Sequence, residues 1–471
     1  MKQRRLAFFC TVALALIIIL ALTLGGGKKD DDTMVVSLPS TGLDVPFDEI
    51  AEVVQYFATP DPMAGATTVP TAEPIAQPTV QQIQPTVPPV QPTAEPVAVP
   101  TAEPVQQYDY SGGLRSAHIR VIGDIMFCED SDGKGGQLTM AKQADGSYNF
   151  MPQFQYIAGS LSNADFTIAN LETTLGLYTN SKGNTMKYSG YPMFNSPESV
   201  LDALKECGID FLTLANNHML DRYFDGMKNT VKVVQSYGFD YVGAYPTEQE
   251  RRTGAKIVEV NGIKLGFVAY VQTTNTMETA CSKDAVNFGV PYLKTADFAG
   301  DIQRLKAAGA DVVIALPHWG TEYKQNPDDN QTYYAGKLAS AGADIILGSH
   351  PHMVQPMEYK YFNDAQGNAK EVFAIFCLGN FISDMTVKYT DSGIILDFTI
   401  REQADGTFRV EDVGYVPVYV WKQDGQFTVV SSAQYLNQRP NGMNDANYNR
   451  MVETYYELQQ VLGNSWRVLE K

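Results

Sequence analysis

The stretch Asp344-Ile345-Ile346-Leu347-Gly348-Ser349-His350-Pro351-His352 decides how this chain is read. A short apolar run with β-branched residues passes directly into Gly-Ser and then into two histidines flanking a proline. A helical pattern at 331–341 precedes it. A strand delivered by a helix and ending in a ligand-capable loop is the unit from which α/β sheets build sites, because ligands gather at the carboxyl ends of strands.

Working outward, the same unit recurs. Apolar β-rich runs at 118–124, 166–170, 211–215, 311–316 and 344–347 alternate with helical patterns at 151–160, 197–207, 224–236, 298–308 and 331–341. Asn261-Gly262, a dipeptide preferred in type I′ turns, predicts a hairpin between 256–260 and 264–270. Later strands at 372–378, 392–399, 407–418 and 427–431 have no helices between them, and 444–471 reads as an amphipathic helix. Alternating βα units followed by a β-rich half predict an α/β sandwich with a mixed sheet core.

Four of the five histidines fall in short motifs at these strand ends. His218 lies in Ala-Asn-Asn-His, His318 in Leu-Pro-His-Trp-Gly, and His350 and His352 in the opening stretch. Asp124 in Val-Ile-Gly-Asp and Glu172 in Ala-Asn-Leu-Glu occupy comparable positions. A mixed set of Asp, Glu, Asn and His suits Mn, Fe or Zn rather than Ca. Two such ions ~3.5–4 Å apart can bind a phosphoryl group and stabilise a leaving oxygen. Ions that close need a bridging carboxylate, for which Glu172 is the candidate.

Each residue alone also has a plainer reading. His318 beside Trp319 could be a satisfied core histidine, and the His-Pro-His segment a loop turn. Asn216-Asn217 could close a turn, and Asp124 could cap a helix or pair with an arginine. Ser196 could cap the helix after it, while Asn195 could contact substrate. Asn380, after a further strand, could orient a ligand histidine or close a turn. Only the joint pattern, in order along the chain, favours a metal centre.

The series Gly123-Asp124-Ile125-Met126, Asn170-Leu171-Glu172, Ala215-Asn216-Asn217-His218, His318-Trp319-Gly320, Gly348-Ser349-His350-Pro351-His352 and Gly379-Asn380-Phe381 resembles the CapA/PgsA family of poly-γ-glutamate capsule biosynthesis proteins, relatives of the calcineurin-like metallophosphoesterases. The resemblance runs from about residue 119 to 418. It implies a four-layer αββα sandwich, a metallophosphatase-like domain over 114–432 and a helical extension over 433–471. It also implies up to two divalent metals: Asp124, Glu172 and His352 would hold one, and Glu172, Asn217, His318 and His350 the other. His218, beside the ligand Asn217, would be the general acid. Asn216, Asn195, Asn380 and Trp319 would contact substrate or orient ligands. Where the phosphoesterases carry Asp-x-His on the first strand, this chain has Asp124-Ile125-Met126, and a thioether is a poor ligand for hard ions.

The N-terminus and composition bound the setting. Residues 6–24 form an uncharged apolar run of 19 positions, about 28 Å as a helix at 1.5 Å per residue and close to a bilayer core. Lys2, Arg4 and Arg5 precede it, which predicts a single-pass anchor at 1–27 with a cytoplasmic N-terminus and an extracellular remainder. A cleaved signal peptide is the alternative, although Gly25-Gly26-Gly27 offers no clear cleavage site. Residues 28–59 are expected to form a short juxtamembrane helix or strand. A linker over 60–113 repeats Pro-Thr-Ala-Glu-Pro at 70–74, 92–96 and 100–104. As polyproline II its 48-residue core would reach on the order of 150 Å, serving as a stalk or as a tether of no required length. A net charge of -18 argues against nucleic acid as a partner and repels anionic polymers unless a cation intervenes. The five scattered cysteines include no CxxC pair, so the four outside the apolar run are expected as buried thiols.

These observations leave three functions open: a metal-dependent hydrolase or transferase acting on an anionic envelope polymer, a non-catalytic assembly factor that binds the polymer, and a scaffold. Polymer synthase or export subunits would be its partners, at the cell membrane.

Overall fold

A computed structural model describes residues 28–30, 33–38, 43–46, 114–128, 136–253, 255–363, 367 and 369–471. The chain divides into Met1–Val97 and Ala98–Lys471. In the first unit, Lys28–Asp30, Thr33–Leu38 and Leu43–Pro46 form a three-stranded antiparallel sheet, so strands rather than a helix occupy the described part of 28–59. The apolar run 6–24 and the proline-rich segment 60–107 lie outside the described residues. Among the described residues no helix is long and apolar enough to cross a membrane.

The second unit is a mixed α/β fold on two sheets, as its alternating pattern predicts. The first sheet contains β1 (Ser116–Ile125), β2 (Phe166–Leu171), β3 (Phe211–Thr213) and β4 (Asp240–Val242), all parallel and in the order β4-β3-β2-β1. The second contains β5 (Lys256–Val260), β6 (Ile263–Val271), β7 (Val312–His318), β8 (Ile345–Leu347), β9 (Met357–Asn363) and β10 (Ala369–Ile375), in the order β5-β6-β7-β8-β10-β9. Its core β6-β7-β8-β10 is parallel and its edges are antiparallel. The first sheet is then extended beyond β1 by the antiparallel strands β12 (Ser392–Glu402), β13 (Phe408–Gln423) and β14 (Gln426–Ser431), while β11 (Asn380–Ile382) pairs with β1. The β5–β6 hairpin turns at Asn261 (φ 51°) and Gly262 (φ 77°), the two positive φ values that a type I′ turn requires.

Residue alternation explains how the sheets stack. Along β6 and β7, Leu265, Phe267, Ala269, Ile314 and Leu316 join the core shared with the first sheet. The intervening Val268, Tyr270, Val313 and Ala315 instead face Ile302 and Leu305 of α3 (Phe298–Ala307) and Ala335 and Leu338 of α4 (Asp329–Ala341). Phe267 stacks on Phe211 with ring centroids 4.2 Å apart, which seats one sheet face on the other. Helices α1 (Val200–Glu206) and α2 (Tyr223–Ser236) link the parallel strands of the first sheet, and α5 (Asp445–Leu462) covers Tyr419 and Val430 of β13 and β14.

Several boundaries differ from expectation. The helix predicted at 151–160 is two single turns, Met151–Phe154 and Ala158–Leu161, which sink Phe154, Ile157 and Leu161 into the core. The helix predicted at 197–207 begins at Val200, and Ser196, rather than capping it, bonds the Thr173 hydroxyl at 2.9 Å. The final helix stops at Leu462, and Arg467–Val468 pair in parallel with Gly414 and Tyr415 of β13. Strands β4 and β9 were not anticipated. Cys128, Cys207 and Cys377 are buried free thiols and Cys281 is a half-buried one.

A candidate metal centre at the carboxyl ends of two sheets

The two parallel arrays deliver their carboxyl ends to one cluster. Asp124 is the penultimate residue of β1, Glu172 follows β2, and Asn216-Asn217-His218 follow β3. From the second sheet, His318 ends β7 while His350 and His352 follow β8. A parallel bridge pairs His318 with Ser349, and Asn380 at the start of β11 registers against Asp124. Close backbone approach sets that register. The Asp124 N–H donates to Gly379 O at 3.1 Å, and any Cβ on Gly123 would collide with the same carbonyl.

Asp124, Glu172, Asn217, His318, His350 and His352 are all buried, each at most 5 % exposed. His318 Nε2 lies 2.9 Å from Asn217 Oδ1 and 3.6 Å from Glu172 Oε1. His352 Nδ1 lies 3.1 Å from Asp124 Oδ2, and its Nε2 is 4.0 Å from Glu172 Oε1. The His350 ring centroid is 4.7 Å from that of His318 and 6.0 Å from that of His352. One ligand atom from each of Asp124, Glu172 and His352 fits within 4.8 Å of the others. Glu172 touches both the His318 and the His352 side, where a bridging carboxylate would have to be.

The polar groups converge without satisfying one another. Glu172 Oε1, Asn170 Oδ1, Asn216 Oδ1 and His350 Nδ1 are buried and have no hydrogen-bond partner among the described residues, and Asp124 Oδ2 has only the His352 ring nitrogen at 3.1 Å. An unpaired buried polar group costs ~1–3 kcal/mol, a cost that a cation bound among these donors would offset. Burial, then the Asp124 carboxylate, pushes Glu172 well above the usual carboxylate range. Burial, then the neighbouring imidazoles, drives His318 well below the histidine range, and His350 is pushed down to about 3 by burial and His352. Neutral imidazoles are what a metal needs as ligands. Burial also opposes charge on His352, but Asp124 outweighs it and raises this residue. The donor set therefore fits a divalent ion.

Asn380 accounts for the orientation of His352. Its amide nitrogen donates to Thr390 O at 2.9 Å and Ser383 Oγ at 3.0 Å, leaving Oδ1 to accept from His352 Nδ1 at 3.0 Å. That assignment turns the Nε2 lone pair toward Glu172. Asn380→Ala is expected to weaken metal affinity ~10–100-fold with little loss of fold, as calorimetric titration would read.

His218 is tied to partners outside the ligand set. Its Nδ1 is 2.7 Å from Asp221 Oδ2, which also accepts from the Phe194 N–H at 2.6 Å, and the Phe194 ring packs edge-on at 4.6 Å. Burial raises Asp221 against the pull of His218. Sequence reasoning missed Asp221, although its spacing three residues after His218 was a usable signal. It also missed Glu322, which groups with His350 and His352.

Two assignments, Trp319 and Asn195, need correction, while Asn216 keeps an oxygen free. Trp319 is fully buried behind the site, donating from Nε1 to Phe376 O at 3.0 Å, and has no surface for substrate. Asn195 is spent on fixing loops: its amide nitrogen donates to Gly176 O and Lys187 O, both at 3.0 Å, and its Oδ1 accepts from Thr174. Asn216 ties the loop to Leu171 O at 2.8 Å through Nδ2, with only Oδ1 uncommitted. Trp319→Phe should therefore cost ~1–3 kcal/mol, since Phe376 O loses its donor, and leave metal content unchanged by elemental analysis. The fifth histidine, His118, pairs with Asp397 at 2.7 Å and takes no part.

Comparison with known proteins follows the same residues. A family model described as bacterial capsule synthesis protein PGA_cap matches residues 118–385. Capsule biosynthesis protein CapA of Bacillus anthracis is 30 % identical over 289 residues, covering 60 % of this chain and 65 % of that protein. The PGA biosynthesis protein CapA of Bacillus subtilis is 27 % identical over 306 residues, 64 % of this chain and 72 % of that protein. The chain thus spans just under two thirds of the first relative. A solved calcineurin-like phosphoesterase, YfkN from Bacillus subtilis, overlaps with a TM-score of 0.38 at 17 % identity, over 74 % of this chain and 99 % of that one.

Proposed function

Because this chain belongs to the bacterial capsule synthesis protein PGA_cap family, we propose that its second unit is a metal-dependent hydrolase or transferase acting on an anionic envelope polymer of the poly-γ-glutamate class. The observation that carries this reading is the set of buried, unpartnered donors meeting where both sheets end. The helix–sheet–sheet–helix packing is the order that a metallophosphatase-like αββα sandwich requires. In this reading Asp124, Glu172 and His352 hold one ion, and Glu172, Asn217, His318 and His350 hold a second. A bound divalent ion supplies Lewis-acid charge to an anionic or carbonyl oxygen of the polymer.

The chain's own residues do the rest. His218 would donate from Nε2 to the leaving group as an imidazolium, with the Asp221 carboxylate accepting from Nδ1 and balancing that charge. Asn380 keeps the His352 Nε2 lone pair facing Glu172. Trp319 and the surrounding apolar core keep water away from the back of the cluster. With a net charge of -18, the domain reaches a polyanion only through the charge of its ions. An apolar anchor at 6–24 and a proline-rich stalk would hold it outside the cell membrane, next to synthase or export subunits.

A second reading, a polymer-binding assembly factor without turnover, is favoured by Met126. That side chain packs with Cys128, Phe194 and Met385 and brings no donor from the first strand. Incubating the full-length protein with poly-γ-glutamate and with bis(p-nitrophenyl) phosphate separates the two. Metal-dependent product formation supports the enzyme, whereas metal-dependent retention of polymer without product supports the assembly factor.

A further inference from the structure

Past the end of β7 the chain turns through Trp319-Gly320-Thr321-Glu322-Tyr323, and this turn is sewn to the His350–His352 loop. The Trp319 N–H donates to Ser349 O at 3.0 Å and the Tyr323 N–H to Pro351 O at 2.9 Å. Gly320 adopts φ 91°, where its N–H donates to Gln272 Oε1 at 2.9 Å and a Cβ would meet the Gln331 side chain. Thr321 is fixed through its hydroxyl to Asp328 at 2.8 Å, and Tyr323 is held at φ 62°. Between these anchors, half-buried Glu322 offers a carboxylate oxygen within 4.8 Å of one ring nitrogen from each of His350 and His352. His350 is itself 5 % exposed, in the left-handed region at φ 103°, and its Nδ1 lacks a hydrogen-bond partner among the described residues.

Two imidazoles and one carboxylate form the ligand set of open catalytic zinc sites, and also suit iron. We infer that Glu322 is a metal ligand: its carboxylate, beside His350 and His352 at the edge of the cluster, gives the ion assigned to Asp124, Glu172 and His352 the donor that the first strand lacks at Met126. The inference rests on the reading of the cluster as a metal centre. It adds a ligand from the loop after β7 that the ordered motif pattern does not include. The donors assigned to the other ion, Glu172, Asn217, His318 and His350, all remain in a Glu322 variant, so a substitution there should cost one ion and spare the other.

The test uses the full-length protein, stripped with chelator and titrated with Zn²⁺ by calorimetry, with bound zinc counted by elemental analysis. The wild type is expected to take up two equivalents. Glu322→Gln should retain one, with the other step weakened ~10–100-fold or more, and Glu322→Asp should fall between. Thermal unfolding of the metal-free proteins should be unchanged. Two equivalents at wild-type affinity in Glu322→Gln would overturn the inference while leaving the metal centre standing. A wild type that binds no zinc would overturn the centre itself, and the inference with it.

Discussion

Glu172→Gln is expected to strip the full-length protein of bound metal, leaving less than a tenth of the wild-type content by elemental analysis. Glu172 is fully buried, its Oε1 has no hydrogen-bond partner, and it sits between His318 at 3.6 Å and His352 at 4.0 Å. An amide keeps the volume but loses the charge that would balance two cations. The same residue sets the pH dependence. Its carboxyl is raised in the metal-free protein, so a proton competes with the ion, and a bound cation reverses that shift. Apparent affinity should therefore fall as pH falls. His350 contributes little to that loss, because burial keeps it neutral down to about pH 3. Titrations at pH 8 and pH 6 would show weaker binding at pH 6 in the wild type. Without metal, the raised carboxyl makes Glu172 a destabilising group at neutral pH, and protonation relieves it. Glu172→Gln should accordingly leave the metal-free fold at least as stable as wild type at pH 7, by thermal unfolding.

His218→Ala is expected to lower metal-dependent turnover ~10²–10⁴-fold, the usual contribution of a general acid, while metal content stays at the wild-type level. The separation of the two effects follows from geometry. His218 contacts Asp221 through Nδ1 and the edge of the Phe194 ring, and it is not among the groups whose ligand atoms converge on Asp124, Glu172 and His352. Asp221→Asn should reproduce part of the loss, because the amide can still accept from Nδ1 but no longer supplies the negative charge that favours a protonated ring. Equal loss of metal in His218→Ala would instead make it a ligand.

How far the sequence disclosed all this differs from element to element. Asn261-Gly262 dictated its hairpin because few other residues tolerate two successive positive φ values. The strand ends bearing Asp124, Glu172, His318 and His350 were legible because parallel strands buried on both faces read as unbroken apolar runs. β9 escaped notice although its exposure alternates residue by residue, since Glu358, Lys360 and Asn363 make an edge strand resemble a loop. Single-turn helices at 151–161 are decided by tertiary packing of Phe154 and Leu161 rather than by propensity. At the site, residues in motifs of a familiar order were visible. Those placed by loop geometry were not: Asp221 acts through His218, and Glu322 depends on a turn fixed by hydrogen bonds to Ser349 and Pro351. Asn195 and Trp319 misled for the converse reason, since adjacency to a site residue in sequence says nothing about which way a side chain is spent.

The most direct test is the metal content of the full-length protein, by elemental analysis after purification and again after loading with Mn, Fe or Zn, beside His350→Ala and His318→Ala. About two equivalents in the wild type, falling in both variants while the fold is retained, is the predicted result. No metal under any loading condition, with all three proteins folded, would contradict the account and leave the buried, unpartnered donors without an explanation.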